Sequence, residues 1–187
     1  MGTRFVMALL AAFALTLGAL GGAGFAISRI AVSPPRDVFR AGIFQLELAK
    51  GWWCELDGTE YVCTPPGKPP HSAIAVIAMK ERNNKDTLDA YEEHLRQPQP
   101  AATRDGAATA TGALSEIRFV RRRAIGSHSW VEALHSGSEV PNFDTYYLGT
   151  TTAMIGILVT LSVHKDHSAE YIDRLNQMIE TLEIYQN

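Results

Sequence analysis

The sequence has only two cysteines in 187 residues. That number excludes a disulfide-dense miniature scaffold and a four-cysteine zinc site. An excess of positive charge is also missing: 17 Lys and Arg stand against 20 Asp and Glu, for a net charge of −3. Binding nucleic acid by neutralising phosphates is therefore not expected. The chain lacks a P-loop, a G-x-G-x-x-G pattern and a G-x-S-x-G elbow. No internal repeat is present. Global disorder is excluded in turn, because 46% of the residues are hydrophobic.

Charge is missing altogether from residues 5–27, a run of 23 positions between Arg4 and Arg29. A helix of that length, at about 1.5 Å per residue, spans a hydrocarbon core of about 30 Å. Residues 1–29 read as an uncleaved signal anchor or as a signal peptide. In the second reading residues 5–17 form the apolar region and the Gly/Ala stretch after Gly18 is cleaved. The return of apolar Phe25, Ala26 and Ile27 favours the anchor. A lipid-attachment cysteine is absent, since the first cysteine is Cys54, and Val6 breaks the myristoylation pattern. Arg29, Arg36 and Arg40 follow the run and only Arg4 precedes it, which by the positive-inside rule places the domain in the cytoplasm.

The cysteines point the other way. In G-W-W-C-E-L-D-G-T-E-Y-V-C-T, residues 51–64, Asp57-Gly58 marks a turn between two strand-like runs. A two-residue loop of Gly58 and Thr59, with glycine first as a type II′ turn prefers, sets the register. Cys54 then faces Cys63 in a non-hydrogen-bonded pair, with Cα atoms about 4.5 Å apart and within disulfide reach. A disulfide implies an oxidising compartment. Together with the N-terminal run it predicts a bacterial inner-membrane protein with a periplasmic domain, or one secreted to the periplasm after cleavage.

Residues 30–41 contain Ser33-Pro34-Pro35 and read as a linker. Residues 42–187 read as one folded domain. Phe44, Leu46 and Leu48 alternate with polar residues as in a half-buried strand. Residues 73–79, A-I-A-V-I-A-M, are apolar on both faces and predict a central strand covered on both sides. Asp86 is placed to cap a helix reaching Arg96, stopped by Pro98 and Pro100. Residues 97–113 form an aperiodic loop. Strands are expected over residues 115–123 and 129–135, joined at Gly126-Ser127, so that Arg121 meets Glu132 and Arg123 meets Trp130. Two more strands follow over residues 143–148 and 154–163. Tyr171, Ile172, Leu175, Met178, Ile179 and Leu182 fall on one stripe of a final helix. The order of elements predicts an α+β fold, an antiparallel sheet covered by two helices.

This layout resembles the PsbP/DcrB-like α/β/α sandwich superfamily. The resemblance rests on Phe44-x-Leu46-x-Leu48 leading to Gly51-Trp52, then a hairpin, a central apolar strand, Asp86-x-Leu88-x-x-Tyr91, and a last strand entering an amphipathic helix. It covers most of residues 43–182. Ala49 stands where a proline is usual. The resemblance implies no shared catalytic residues and a role in binding or assembly, often in the cell envelope; small eukaryotic Ran-binding proteins share the superfamily.

Candidate chemistry is sparse. His164, Asp166 and His167 together offer two imidazoles and a carboxylate to a metal ion, but Asp166 or Ser168 can equally cap the last helix. Glu132 and His135 have E-x-x-H spacing, yet on a strand they point to opposite faces. Arg118, Arg121, Arg122 and Arg123 form a basic cluster that suits an acidic partner, or a solvated strand tip. One aromatic of each pair, Trp52-Trp53 and Tyr146-Tyr147, belongs in the core. Trp53 and Tyr146 are assigned to a partner surface. The reading is a non-catalytic, envelope-associated binding or assembly module facing the periplasm. Its partners are the membrane, through the N-terminal segment, and a protein; no cofactor and no nucleic acid is implied. The alternative is a small-ligand or metal-binding periplasmic protein using His164 and His167.

Overall fold

Alternation of apolar and polar residues builds most of this molecule, and the computed structural model describes residues 37–67, 71–100, 114–138 and 142–185. The elements are β1 (Val38–Arg40), β2 (Phe44–Glu47), β3 (Trp53–Asp57), β4 (Glu60–Thr64), β5 (Ala73–Glu81) and α1 (Leu88–Leu95), followed by β6 (Glu116–Ile125), β7 (His128–Ser136), β8 (Phe143–Thr151), β9 (Ile155–His164), α2 (Ser168–Glu180) and β10 (Glu183–Ile184). A single 3₁₀ turn, Lys165–His167, joins β9 to α2. The predicted N-terminal membrane segment, residues 1–29, lies outside the described residues. Among the described residues no helix is long and apolar enough to cross a membrane.

Seven strands form one antiparallel sheet in the order β3-β4-β5-β9-β8-β7-β6. Three short strands form a second sheet, β1-β2-β10. Period-two alternation sorts the large sheet into two faces. Ile77, Tyr146, Leu148, Val159, Leu161 and Val163 share one face and build the main core with Leu175, Met178 and Ile179 of α2 and Phe44 and Leu46 of β2. Val131 and Ala133 lie on the other face, under Leu95 of α1. The α+β class, the antiparallel sheet and the two covering helices are as the sequence predicts.

The cysteine hairpin follows the predicted register, with Cys54 opposite Cys63 and Asp57 opposite Glu60. The two cysteines form a disulfide with Cα atoms 4.1 Å apart. Gly58 has φ +62°, while Thr59 is not in the left-handed region, as a type II′ turn requires. Protein drawn from its native compartment without reductant is expected to show no alkylatable thiol. Full modification of both cysteines in mass spectrometry would overturn the bridge there.

Four local expectations change. Val38–Arg40, inside the stretch read as linker, pairs with β2 because Phe39 packs on Phe44 and Tyr61, with ring centroids 5.9 and 5.7 Å away. Helix α1 is capped by Thr87, whose hydroxyl accepts from the Ala90 N–H at 3.1 Å. Asp86 instead accepts from the Asn83 N–H at 2.9 Å and pairs with Lys80 at 2.7 Å. Neither Asp166 nor Ser168 caps α2; the His164 ring accepts from the Asp166 N–H at 3.4 Å and closes the 3₁₀ turn.

The fourth change matters most. Strand β5 is fully covered on one face and only partly on the other: Ala73, Ala75 and Ile77 are buried, whereas Val76 and Ala78 are half-buried and Ile74 is 41% exposed. The reason is size. Helix α1 has eight residues, so it is about 12 Å long. Seven strands at about 4.8 Å spacing span about 29 Å. The helix sits over β6, β7 and β8, and Trp53 of β3, Ile74 of β5 and Leu158 of β9 stay exposed on that side.

Candidate functional site

The seating of α1 determines what the α1 face of the sheet can do. Two glycines in apolar strands, Gly149 of β8 and Gly156 of β9, create a slot for Tyr91. A Cβ on Gly149 would lie 3.1 Å from the Tyr91 ring, and one on Gly156 would lie 2.6 Å from its hydroxyl. Burial, the leading cause, and the nearby Asp86 charge both raise the Tyr91 pKa, so the phenol stays neutral. Arg122 of β6 reaches across to Asp89 and to Glu92, the latter at 2.6 Å. The two glycines are the signal that sequence reasoning passed over, since glycine inside a strand marks a close approach. Gly156→Ala is expected to push Tyr91 out of its slot and lower stability by about 1 kcal/mol. An unchanged denaturation midpoint would remove the slot from the account.

Beyond Tyr91, the C-terminal half of α1 and the strand surface enclose a cleft of about 330 Å³. Tyr91, His94 and Leu95 come from the helix, Gln99 and Pro100 from the chain after it, and Ser138, Tyr147 and Leu158 from the sheet side. His135, fully buried, braces this end of the helix. One ring nitrogen, Nε2, lies 2.9 Å from the Leu95 carbonyl, and Nδ1 lies 3.2 Å from the Ser115 hydroxyl. The carbonyl accepts only, so Nε2 carries the proton and Nδ1 accepts from Ser115. The Ser115 hydroxyl in turn accepts from the Gln99 N–H at 2.9 Å. Burial, the strongest influence, lowers the His135 pKa, and the Leu95 hydrogen bond partly opposes it. The imidazole is therefore neutral at neutral pH.

On the opposite face Glu132 is 2% exposed yet charged. It accepts from Arg121 Nε at 2.7 Å, from the Tyr146 hydroxyl at 2.7 Å and from Arg123 Nη1 at 3.4 Å. Burial favours the neutral acid most strongly of any single influence. The hydrogen bonds from Arg121 and Tyr146, with the two guanidinium charges, outweigh it and hold the carboxyl below the usual range. The Tyr146 oxygen also lies 3.0 Å from Asn176 Oδ1 of α2. A phenol carries one proton. The carboxylate takes it, so the Asn176 amide meets the phenol oxygen through its NH₂ group. This network ties β6, β7, β8 and α2 together.

The other predicted residues scatter. Glu132 and His135 do point to opposite faces. Arg121 and Arg123 converge on Glu132, Arg122 turns to α1, and Arg118 pairs with Glu116 at 3.0 Å beside an edge-strand bulge. Arg123 stands opposite Trp130, as the predicted register requires, and also pairs with Glu132 at 3.4 Å; Arg121 lies over Phe119, 4.8 Å from the ring centroid. The arginines thus form three acid-paired groups, not one free patch. Trp53 is 56% exposed and Trp52 is the core member of its pair. Tyr146 is fully buried, so its assignment to a partner surface is corrected: Tyr147 faces the cleft, and Tyr146 is the core member of the pair because its parity matches Leu148. The His164 and His167 rings are 6.4 Å apart, and Asp166 Oδ2 is 3.5 Å from His164 Nδ1. Among the described residues no three His, Cys, Asp or Glu side chains are grouped to hold a metal ion.

An antiparallel sheet with α1 on one face, and α2 with a small sheet on the other, is a PsbP-like α/β/α sandwich. The solution structure of cyanobacterial PsbP (CyanoP) from Synechocystis sp. PCC 6803 matches with a TM-score of 0.56 at 10% identity, over 83% of this chain and 96% of that one. LpqN of Mycobacterium tuberculosis, described as involved in cell envelope biogenesis, matches with a TM-score of 0.53 at 12% identity, over 82% of this chain and 87% of that one. At such identities the likeness is one of fold. No protein-family model and no curated protein sequence matches the chain.

Proposed function

We propose that this chain is a non-catalytic binding module on the outer side of the cytoplasmic membrane, held there by residues 1–29, and that it docks a protein on the open half of its large sheet. The observation that carries the reading is the exposed apolar row on the α1 face. Trp53 is 56%, Ile74 41% and Leu158 38% exposed. Register and alternation place all three on that face, with Val62 and Val76 among them. Exposed apolar side chains gathered on one face of a sheet mark interaction sites. The Cys54–Cys63 bridge supports an oxidising compartment. LpqN, with the same fold, is described as acting in envelope biogenesis, which makes an envelope role a natural use of the scaffold.

A photo-crosslinking residue placed at Trp53 or Ile74 tests the reading in the native envelope. Leu56, 62% exposed on the other face of β3, serves as the control. A discrete protein adduct from positions 53 and 74, absent from position 56, is the expected result. No adduct at 53 and 74, or equal labelling from all three, would sink the docking face.

A further inference from the structure

We propose that the cleft between α1 and the sheet, which shares Leu158 with the docking face, is a second site that binds a small, uncharged, flat ring compound bearing a hydroxyl or N–H donor. Its volume of about 330 Å³ falls within the range of ligand pockets, about 300–1,000 Å³. Tyr91, His94, Pro100 and Tyr147 present rings to it, and Leu95 and Leu158 complete the apolar wall. Rings of this kind favour offset or edge contacts with a planar guest. Among the described residues no carboxylate, lysine or arginine lines the cleft. A charged guest would lose water there without gaining a counter-charge.

The polar atoms define the donor. Ser138 donates its proton to Thr145 Oγ1 at 2.6 Å, which leaves its lone pairs to accept. Gln99 donates through Nε2 to the Gln97 carbonyl at 3.1 Å and keeps its side-chain oxygen as an acceptor. Of the polar residues that line the cleft, Ser138 and Gln99 therefore each offer an acceptor. The walls are held before any ligand arrives. Tyr91 is locked over two glycines, and His135 fixes the Leu95 carbonyl at 2.9 Å. A preformed site saves the ordering that weakens flexible ones.

The test uses the full chain in lipid nanodiscs with isotope-labelled leucine and isoleucine methyl groups. The probe is 2-naphthol, which is flat, neutral and carries a hydroxyl. Saturable shifts at Leu95 and Leu158, with Ile74 unmoved and a dissociation constant on the order of 100 µM, are expected. 2-Naphthalenesulfonate, the anionic counterpart, should bind at least about tenfold more weakly, and 1-decanol, a neutral chain, should not displace the naphthol. Leu158→Trp fills the mouth from a half-exposed position and should weaken binding at least about tenfold; Trp53→Ser should leave it unchanged. The proposal fails if the Leu95 shifts do not saturate, if the sulfonate or decanol competes equally, or if Trp53→Ser abolishes binding. Should Leu158→Trp fail to fold, the shift map of the unaltered chain decides alone. The Trp53 arm also separates this site from the docking face.

Discussion

Glu132→Ala is expected to lower the unfolding free energy by about 3 kcal/mol, because it breaks a buried charge network and leaves a cavity. The Tyr146 hydroxyl loses its 2.7 Å acceptor in the core, and finds another only if the Asn176 amide flips to present its oxygen. Arg121 contributes less, since it is 58% exposed and water screens it. Glu132→Gln keeps an acceptor for the phenol and loses only the charge, so its cost should be about 1 kcal/mol. The pH dependence separates the two causes. The Glu132 carboxyl is held below its ordinary value of 4.5 in the folded protein. The unfolded chain therefore takes up the proton first as pH falls, and the charge-dependent stability is full above pH 4.5 and lost below it. Asp86 and Glu92 are also lowered, but their acid loss is common to wild type and variant. The gap between wild type and Glu132→Gln should thus be constant near neutrality and close in acid. Denaturant titrations at several pH values measure it. A gap that stays constant below pH 4 would show that the charge contributes nothing, and a Glu132→Ala cost under about 0.5 kcal/mol would dismiss the network as a support.

Gly126→Ala is expected to cost about 3 kcal/mol, and Gly58→Ala only about 1 kcal/mol. Both glycines open two-residue hairpin loops with positive φ, +58° and +62°. Any L side chain pays the same conformational penalty at either place. Their surroundings differ. A Cβ on Gly58 meets nothing within 4 Å, whereas one on Gly126 lies 2.8 Å from the Glu180 carbonyl oxygen at the end of α2. That atom is backbone and cannot rotate away. The difference between the two variants therefore reads the contact between the β6–β7 hairpin and α2. Equal losses in calorimetry would mean that the hairpin and the helix end move apart freely.

The paired strands, the two hairpin turns and the last helix were legible in the order of residues because each depends on neighbours within a few positions. Asp57-Gly58 and Gly126-Ser127 set local registers, and those registers placed Cys54 on Cys63 and Arg121 on Glu132 before any tertiary contact was considered. Alternation likewise separated Glu132 from His135. The candidate sites were far less legible. The Tyr91 slot needs Gly149 and Gly156 brought beneath a helix some 60 residues earlier in the chain. The brace at His135 joins Leu95 and Ser115, 40 and 20 residues away. Parity along β8 distinguishes Tyr146 from Tyr147, but which parity faces the larger core depends on where α2 docks.

What the sequence determined by itself is therefore the antiparallel α+β fold, the disulfide-bonded hairpin and the amphipathic stripe of α2, all consequences of short-range periodicity and turn chemistry. Only the tertiary structure decided that the apolar strand β5 is fully covered on one side alone. Its residues read the same whether a helix lies above them or not, and the outcome follows from a geometric mismatch: a helix of about 12 Å cannot roof a sheet of about 29 Å.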